Sequence, residues 1–315
     1  MWFRNIFLRS PQHKPTRARR PQEGPLFDEL FLRRLQRMSL QAQRTLQGNP
    51  ANGGHVSRQY MPASEFSDHR PYFVGDDLRY VDWNAYARQD EMLLKLGEAE
   101  QNLDIHILLD ASRSMAWGNP SKLRLMQQLA GAVGYLVLSY NDRLHIVPFG
   151  SQALRPFGPT RGKGRLVEML RYIEQIPVQQ TTELRTILQQ HAQQYKRGGM
   201  LILCSDLLIH EGLADGLRLL PPPRWQVVVL HLLDPRELRP ELQGPFELED
   251  SETGQRISVA LDAEQIAAYH QGVQEWQENL KRLCGRYGAT YAPVMTTWPL
   301  EQKIVPYLRA RRLLT

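Results

Sequence analysis

Cysteine is nearly absent: the chain has only Cys204 and Cys284. That count excludes a disulfide framework and any Cys-x-x-Cys site, and it suits a reducing compartment. Acidic side chains are missing from the first 20 residues, which hold six basic ones (Arg4, Arg9, Lys14, Arg17, Arg19 and Arg20). The formal net charge of +6 therefore sits in this stretch, and the rest balances 33 basic against 33 acidic residues. A neutral body lacks the basic stripe of a nucleic-acid surface. Long apolar runs are missing too. The strongest, around Leu129–Leu138, is too short to span a bilayer and contains glycines. Arg4 and Arg9 break up any signal-like start, so the chain reads as cytoplasmic, without a transmembrane segment.

Other familiar sites also fail. Gly158–Gly164 (GPTRGKG) lacks the spacing of a phosphate loop and the hydroxyl residue after its lysine, so it reads as a basic surface loop. His106, His145 and His231 fall on expected strands, but no ligand spacing unites them. They read as satisfied core or sheet-edge histidines. Cys204 lies within an apolar strand and reads as a buried, inert thiol.

The 315 residues, 42% of them hydrophobic, suffice for one large domain with additions, or for two. Residues 1–25 read as a flexible basic arm. Trp2, Phe3, Ile6 and Phe7 would share a helical face, which leaves a weak membrane-surface contact as the alternative. Leu26–Leu46 has helical spacing, residues 47–75 have short extended pieces at best, and Met92–Leu96 looks extended. From Leu103 onward short apolar strands alternate with helices. The expected strands are Leu103–Leu109, Leu144–Phe149, Met200–Cys204, Gln226–Leu233 and Ala289–Val294. The expected helices are one capped by Ser121, then Gly164–Ile176, Thr182–Lys196, Gly212–Leu220, a long one after Asp262, and Leu300–Arg311. This alternation predicts a doubly wound α/β fold with a mostly parallel sheet. The expected organisation is an arm (1–25), a helix with a small β annex (26–100), and an α/β domain (101–315) with a hairpin insertion at about 236–261.

The sharpest local feature is Asp110-Ala111-Ser112-Arg113-Ser114-Met115. It follows an apolar strand, at the sheet edge where open α/β folds bind ligands. Oxygen side chains at alternate positions converge on one point, and hard cations such as Mg²⁺ seek oxygen ligands. Neutral hydroxyls leave the ion electrophilic enough to accept an outside carboxylate. Thr182, opening a helix after the Pro177–Thr181 loop, and Asp206, just past the strand Met200–Cys204, can complete the set. The plainer alternative is that Asp110 and the serines only cap the next helix. The charged run Gly75–Trp83 with Arg88 reads as an ion-paired turn with Trp83 in a packing role, and a second contact surface is its alternative.

Asp110-x-Ser112-x-Ser114 with Thr182 and Asp206 resembles the metal-ion-dependent adhesion site of von Willebrand factor A domains. More closely, the chain resembles the bacterial family called domain of unknown function fifty-eight. The matching residues are Gly75-Asp76-Asp77-Leu78-Arg79-Tyr80-Val81-Asp82-Trp83, Ala87-Arg88, Asp110 to Met115 with Lys122, Thr182-Glu183-Leu184, Ser205-Asp206-Leu207, Asp250-x-Glu252-Thr253-Gly254, Tyr269, Cys284 and Thr296/Thr297. They cover residue 26 to the C-terminus. One departure is Gln180-Thr181 before Thr182, where small glycines are common; it leaves Thr181 as a substitute ligand.

The resemblance implies a von Willebrand A-like fold. It implies one divalent ion (Mg²⁺, Mn²⁺ or Ca²⁺) held by Asp110, Ser112, Ser114, Thr182 and Asp206, the aspartates often through water. It also implies a protein partner that presents an acidic residue, a MoxR-type AAA+ ATPase or its client. The expected role is therefore an adaptor and not an enzyme. A Mg-dependent phosphate-ester hydrolase and a membrane-surface scaffold acting through the arm are the alternatives. An aspartyl phosphotransferase would want a second carboxylate two residues after Asp110, where Ser112 stands.

Overall fold

The structure, a computed structural model, describes residues 6–9, 25–37, 60–62, 68–98, 103–150, 154–180, 183–239, 244–250, 256–261 and 263–310. It divides into two compact units, residues 43–102 and the remainder. The chain opens with strand β1 (Ile6–Arg9) and helix α1 (residues 29–37). The smaller unit carries β2 (Tyr60–Pro62), β3 (Asp68–Pro71), α2 (Trp83–Gln89) and β4 (Leu93–Glu98). Next come β5 (Asp104–Asp110), α3 (Lys122–Ser139), β6 (Arg143–Phe149), β7 (Phe157–Thr160), α4 (Leu166–Glu174), α5 (Leu184–Gln194), β8 (Gly199–Ser205) and α6 (Leu213–Arg218). The chain continues through β9 (Trp225–Leu233), α7 (Pro235–Leu238), β10 (Gly244–Asp250), β11 (Arg256–Leu261), α8 (Ala263–Arg286), β12 (Thr290–Met295) and α9 (Val305–Ala310).

Six strands form the central sheet in the order β12-β9-β8-β5-β6-β7. All neighbours are parallel except β6 and β7. The fold is thus the expected doubly wound α/β arrangement, with one antiparallel edge strand. That edge, β7, overlaps the Gly158–Gly164 segment read as a surface loop. Its sequence has little alternation, and only pairing with Leu144 and Ile146 makes it a strand.

Alternation along β5 explains why both faces carry helices. Ile105, Ile107 and Leu109 point into a core shared with α3 and α4, while Leu108 joins α5, α6 and α8 on the opposite face. Helix α8, the long helix expected after Asp262, buries Val273, Leu280 and Cys284. Phe31 and Leu35 of α1 pack with Ala132 and Val305, which groups α1 with the large sheet. Residues 6–9, read as part of a flexible arm, form a strand paired antiparallel with β10, and β10 pairs in turn with β11.

In the 43–102 unit, β2, β4 and β3 make a small antiparallel sheet. The charged turn is ion-paired locally. Arg70 grips Asp76 with two bonds of 2.8 Å, and Asp82 caps α2 while bonding His69. Trp83 does not pack into a core. It is 55% exposed and meets Tyr86 edge-on.

Strand β8 begins where no side chain fits. Gly199 has φ +148°, and a Cβ there would lie 2.2 Å from the Asp104 carbonyl oxygen of the neighbouring strand. Backbone on both sides cannot yield as a side chain could. Gly199→Ala should therefore destabilise the fold by on the order of 3 kcal/mol. Urea unfolding checks this, and a loss under 1 kcal/mol would show that the strand start adjusts freely.

Candidate metal site at the sheet's switch point

After β5 the chain crosses to β6 on one side, and after β8 it crosses to β9 on the other. The loops leaving β5 and β8 thus diverge and open a crevice at their carboxyl ends, the place where open α/β sheets take ligands. Register puts Leu109 opposite Cys204, so Asp110 and Ser205 end the two strands side by side. The Ser205 hydroxyl donates to Asp110 Oδ2 at 2.6 Å, and the Ser112 amide donates to Asp110 Oδ1 at 3.0 Å. Asp110, Ser112 and Ser114 are all buried.

The two serine hydroxyls lie 3.0 Å apart. Octahedral Mg²⁺ with oxygens at about 2.1 Å has adjacent ligands about 3 Å apart, so this spacing matches one edge of such a polyhedron. Ser112 also sits at the N-cap of the short turn Arg113–Ala116, yet its side chain makes no cap bond there. Asp110 and the serines fit an oxygen-seeking cation. Among the described residues no group of three His, Cys, Asp or Glu is placed to hold a metal, but an Asp-Ser-Ser set is a different kind of site. The loop before Thr182 docks beside it, with the Gln179 amide donating to the Ala111 carbonyl at 2.6 Å. Thr181 and Thr182 themselves lie outside the described residues.

Asp206 shares this rim, but its carboxylate has a partner already. Lys122, fully buried at the start of α3, places Nζ 2.7 Å from Asp206 Oδ2 and 2.5 Å from Glu237 Oε1. Burial would lower the lysine's pKa, but the two carboxylates outweigh it and hold the ammonium above its ordinary range. Burial raises the Glu237 carboxyl, partly countered by Lys122. Glu237 is fixed by a capping box on α7, where it accepts from the Asp234 amide. The Asp206 carbonyl accepts from His231 Nε2 at 2.8 Å, and His231 Nδ1 accepts from the Tyr291 hydroxyl at 2.6 Å. These two bonds fix a neutral tautomer, and burial drives the His231 pKa down to about 3.

Another buried aspartate, Asp234, receives two bonds from the Arg236 guanidinium and one from Thr296. Arg236 in turn lies over Trp117 at 4.8 Å. Burial opposes ionisation of Asp234, but the Arg236 bonds prevail and keep its pKa below the usual carboxylate range. Sequence reading gives no role to Glu237 or Asp234, and names Lys122 only among the residues that carry the family resemblance. Two signals pointed to them: Asp234-Pro235-Arg236-Glu237 is a capping box after an apolar strand, and Lys122 is a cation where the helix dipole prefers an anion.

The family profile described as protein of unknown function DUF58 matches residues 68–279. The chain belongs to the DUF58 family. Uncharacterized proteins of Mycobacterium bovis and Mycobacterium tuberculosis are 24% identical to this DUF58 chain over 305 residues, covering 95% of it and 94% of their own length. Among solved structures, it is similar to the conserved hypothetical protein BatB of Bacteroides thetaiotaomicron (TM-score 0.43, 16% identity, 67% of this chain and 98% of that one). It is also similar to the SpRpn10 VWA domain (TM-score 0.35, 11% identity, 64% and 94%). Among the described residues of this DUF58 protein, no helix is long and apolar enough to cross a membrane.

The histidines form a separate cluster at the other end of the sheet. His106 and His145 stack at 4.2 Å on neighbouring strands, and His191 of α5 meets His106 edge-on at 4.8 Å. His106 and His145 are core residues, as expected, and His191 joins them, but none of the three is fully satisfied. His106 Nδ1, His145 Nδ1 and His191 Nε2 have no hydrogen-bond partner. His231 stands apart from them, against Trp276 and Tyr291. Cys204 is buried, and burial pushes its thiol up to about 12, consistent with an unreactive sulfur.

Proposed function

We propose that this DUF58 chain is a protein-binding module that holds one divalent cation, Mg²⁺ or a similar ion, at the switch-point crevice. Asp110, Ser112 and Ser114 would hold the ion, with Thr182 as a further ligand and Asp206 behind it through water. The observation that carries the reading is the pair of serine hydroxyls 3.0 Å apart beside a buried carboxylate. Bound there, the ion supplies a positive centre for an acidic side chain of another protein. The surroundings support a contact face: Arg113 is exposed beside the serines, and Val178, on the docked loop, is 44% exposed. The resemblance to domain of unknown function fifty-eight makes a MoxR-type AAA+ ATPase, or a client that it remodels, the partner we propose. We assign the site no catalytic step.

Removing the Asp110 carboxylate removes the only charged group among the three ligating side chains. Asp110→Ala should reduce Mg²⁺-dependent capture of the chain's MoxR-type ATPase to the level seen in chelator, at least a tenfold loss. Pull-downs of the wild type and the variant, each with Mg²⁺ and with chelator, make the measurement. Equal capture in all four would sink the metal bridge.

A further inference from the structure

Lys122 is an odd residue to find where it is. It is the first residue of an 18-residue helix, it is 0% exposed, and its charge sits at the end where the helix dipole repels cations. A buried ammonium is retained only where anions compensate it, and here there are two, from different elements. Asp206 follows β8 and lies on the metal rim, whereas Glu237 belongs to α7 after β9. The remaining Asp206 oxygen accepts from the Leu208 amide at 3.3 Å. One lysine thus engages the second carboxylate of the rim, while Asp110, bonded to Ser205 and Ser112, stays on the serine side.

We infer that Lys122 sets the charge of the site: by pairing with Asp206 it keeps that carboxylate from ligating the ion directly, so a bound divalent ion keeps net positive charge for an outside anion. This rests on the metal-binding reading above and adds to it the residue that governs ion affinity. An ion facing Asp110 and neutral hydroxyls retains one positive charge. Release of Asp206 would cancel it, tightening the grip on the ion and removing its appetite for an acidic ligand. Glu237 acts in the opposite sense, because it shares Lys122 with Asp206. Without Glu237 the lysine belongs to Asp206 alone.

The test is Mn²⁺ titration by calorimetry of the full chain, comparing wild type, Lys122→Met and Glu237→Gln, with melting temperatures in chelator alongside. Lys122→Met should bind Mn²⁺ at least tenfold tighter than wild type, and Glu237→Gln severalfold more weakly. With Mn²⁺ saturating, acetate should bind Lys122→Met at least fivefold more weakly than wild type. A purely structural lysine would lower the melting temperature in chelator and leave Mn²⁺ affinity where it was. If Lys122→Met does not fold, Glu237→Gln decides alone, and affinity equal to or tighter than wild type overturns the inference. Wild type binding Mn²⁺ while Lys122→Met binds it no tighter overturns the inference and leaves the metal site standing. Wild type binding neither Mn²⁺ nor Mg²⁺ removes the metal site itself.

Discussion

Acidification from pH 7.5 to 5 should remove most of this protein's folding stability at room temperature. Among the described residues four histidines are buried: His106, His145, His191 and His231. Burial, their leading perturbation, lowers the pKa of His106 to about 2, of His145 and His191 to about 4, and of His231 to about 3. In the unfolded chain each returns to its ordinary value near 6.5. The folded state thus refuses protons that the unfolded state accepts. The stability these groups confer is complete above pH 6.5 and declines as pH falls below it, down to about 4 for His145 and His191 and lower for the other two. At pH 5 each histidine removes about 2 kcal/mol, and four together about 8 kcal/mol. A domain typically has only about 5–15 kcal/mol to lose. Glu237, raised by burial, works in the opposite direction, but as one group against four. Near-UV circular dichroism with urea titrations at half-unit pH steps provides the measurement. His106→Phe should flatten the pH dependence by about one proton. A stability that is constant between pH 6.5 and 5 would mean that the cluster already binds protons in the native state.

Breaking the Lys122 triad should cost about half as much. Lys122→Met leaves Asp206 and Glu237 facing one another without their shared cation, and removing one partner of a buried ion pair costs roughly 3–5 kcal/mol. The effect should reach α7 as well, because Glu237 also holds the Asp234 amide and its carbonyl accepts from Tyr269. Adding Glu237→Gln to Lys122→Met should recover about half of the loss, since one of the stranded charges disappears. Urea unfolding of the two single variants and the double variant in chelator yields the coupling directly. Additive losses would indicate that Lys122 and Glu237 do not act as a pair. Because the lysine is buried, the result should change little with salt.

Much of the fold could be read from local pattern. Apolar runs such as Gln226–Leu233 and the helical spacing from Leu123 to Tyr140 report burial on strands and helices without reference to partners. Two of the misplacements share one cause. Residues 6–9 and Phe157–Thr160 are strands because an edge accepts them, and an edge that supplies hydrogen bonds leaves no trace in the accepting segment's own periodicity. Trp83 reads as a packing residue, yet a local motif says nothing about which face of a seven-residue helix meets a core.

For the site, sequence alone placed Asp110, Ser112 and Ser114 together at the end of a buried strand, because the apolar run stops at Asp110 and oxygen side chains follow it at alternate positions. Tertiary structure decided that Asp206 is spoken for by a lysine 84 residues away, and that a glutamate 115 residues from that lysine shares it. It likewise brought His106, His145 and His191 ring to ring. Strand order fixes which chain ends become neighbours, and strand order follows from the packing of whole elements. A buried charge or an unpartnered imidazole acquires its meaning only once those neighbours are in place.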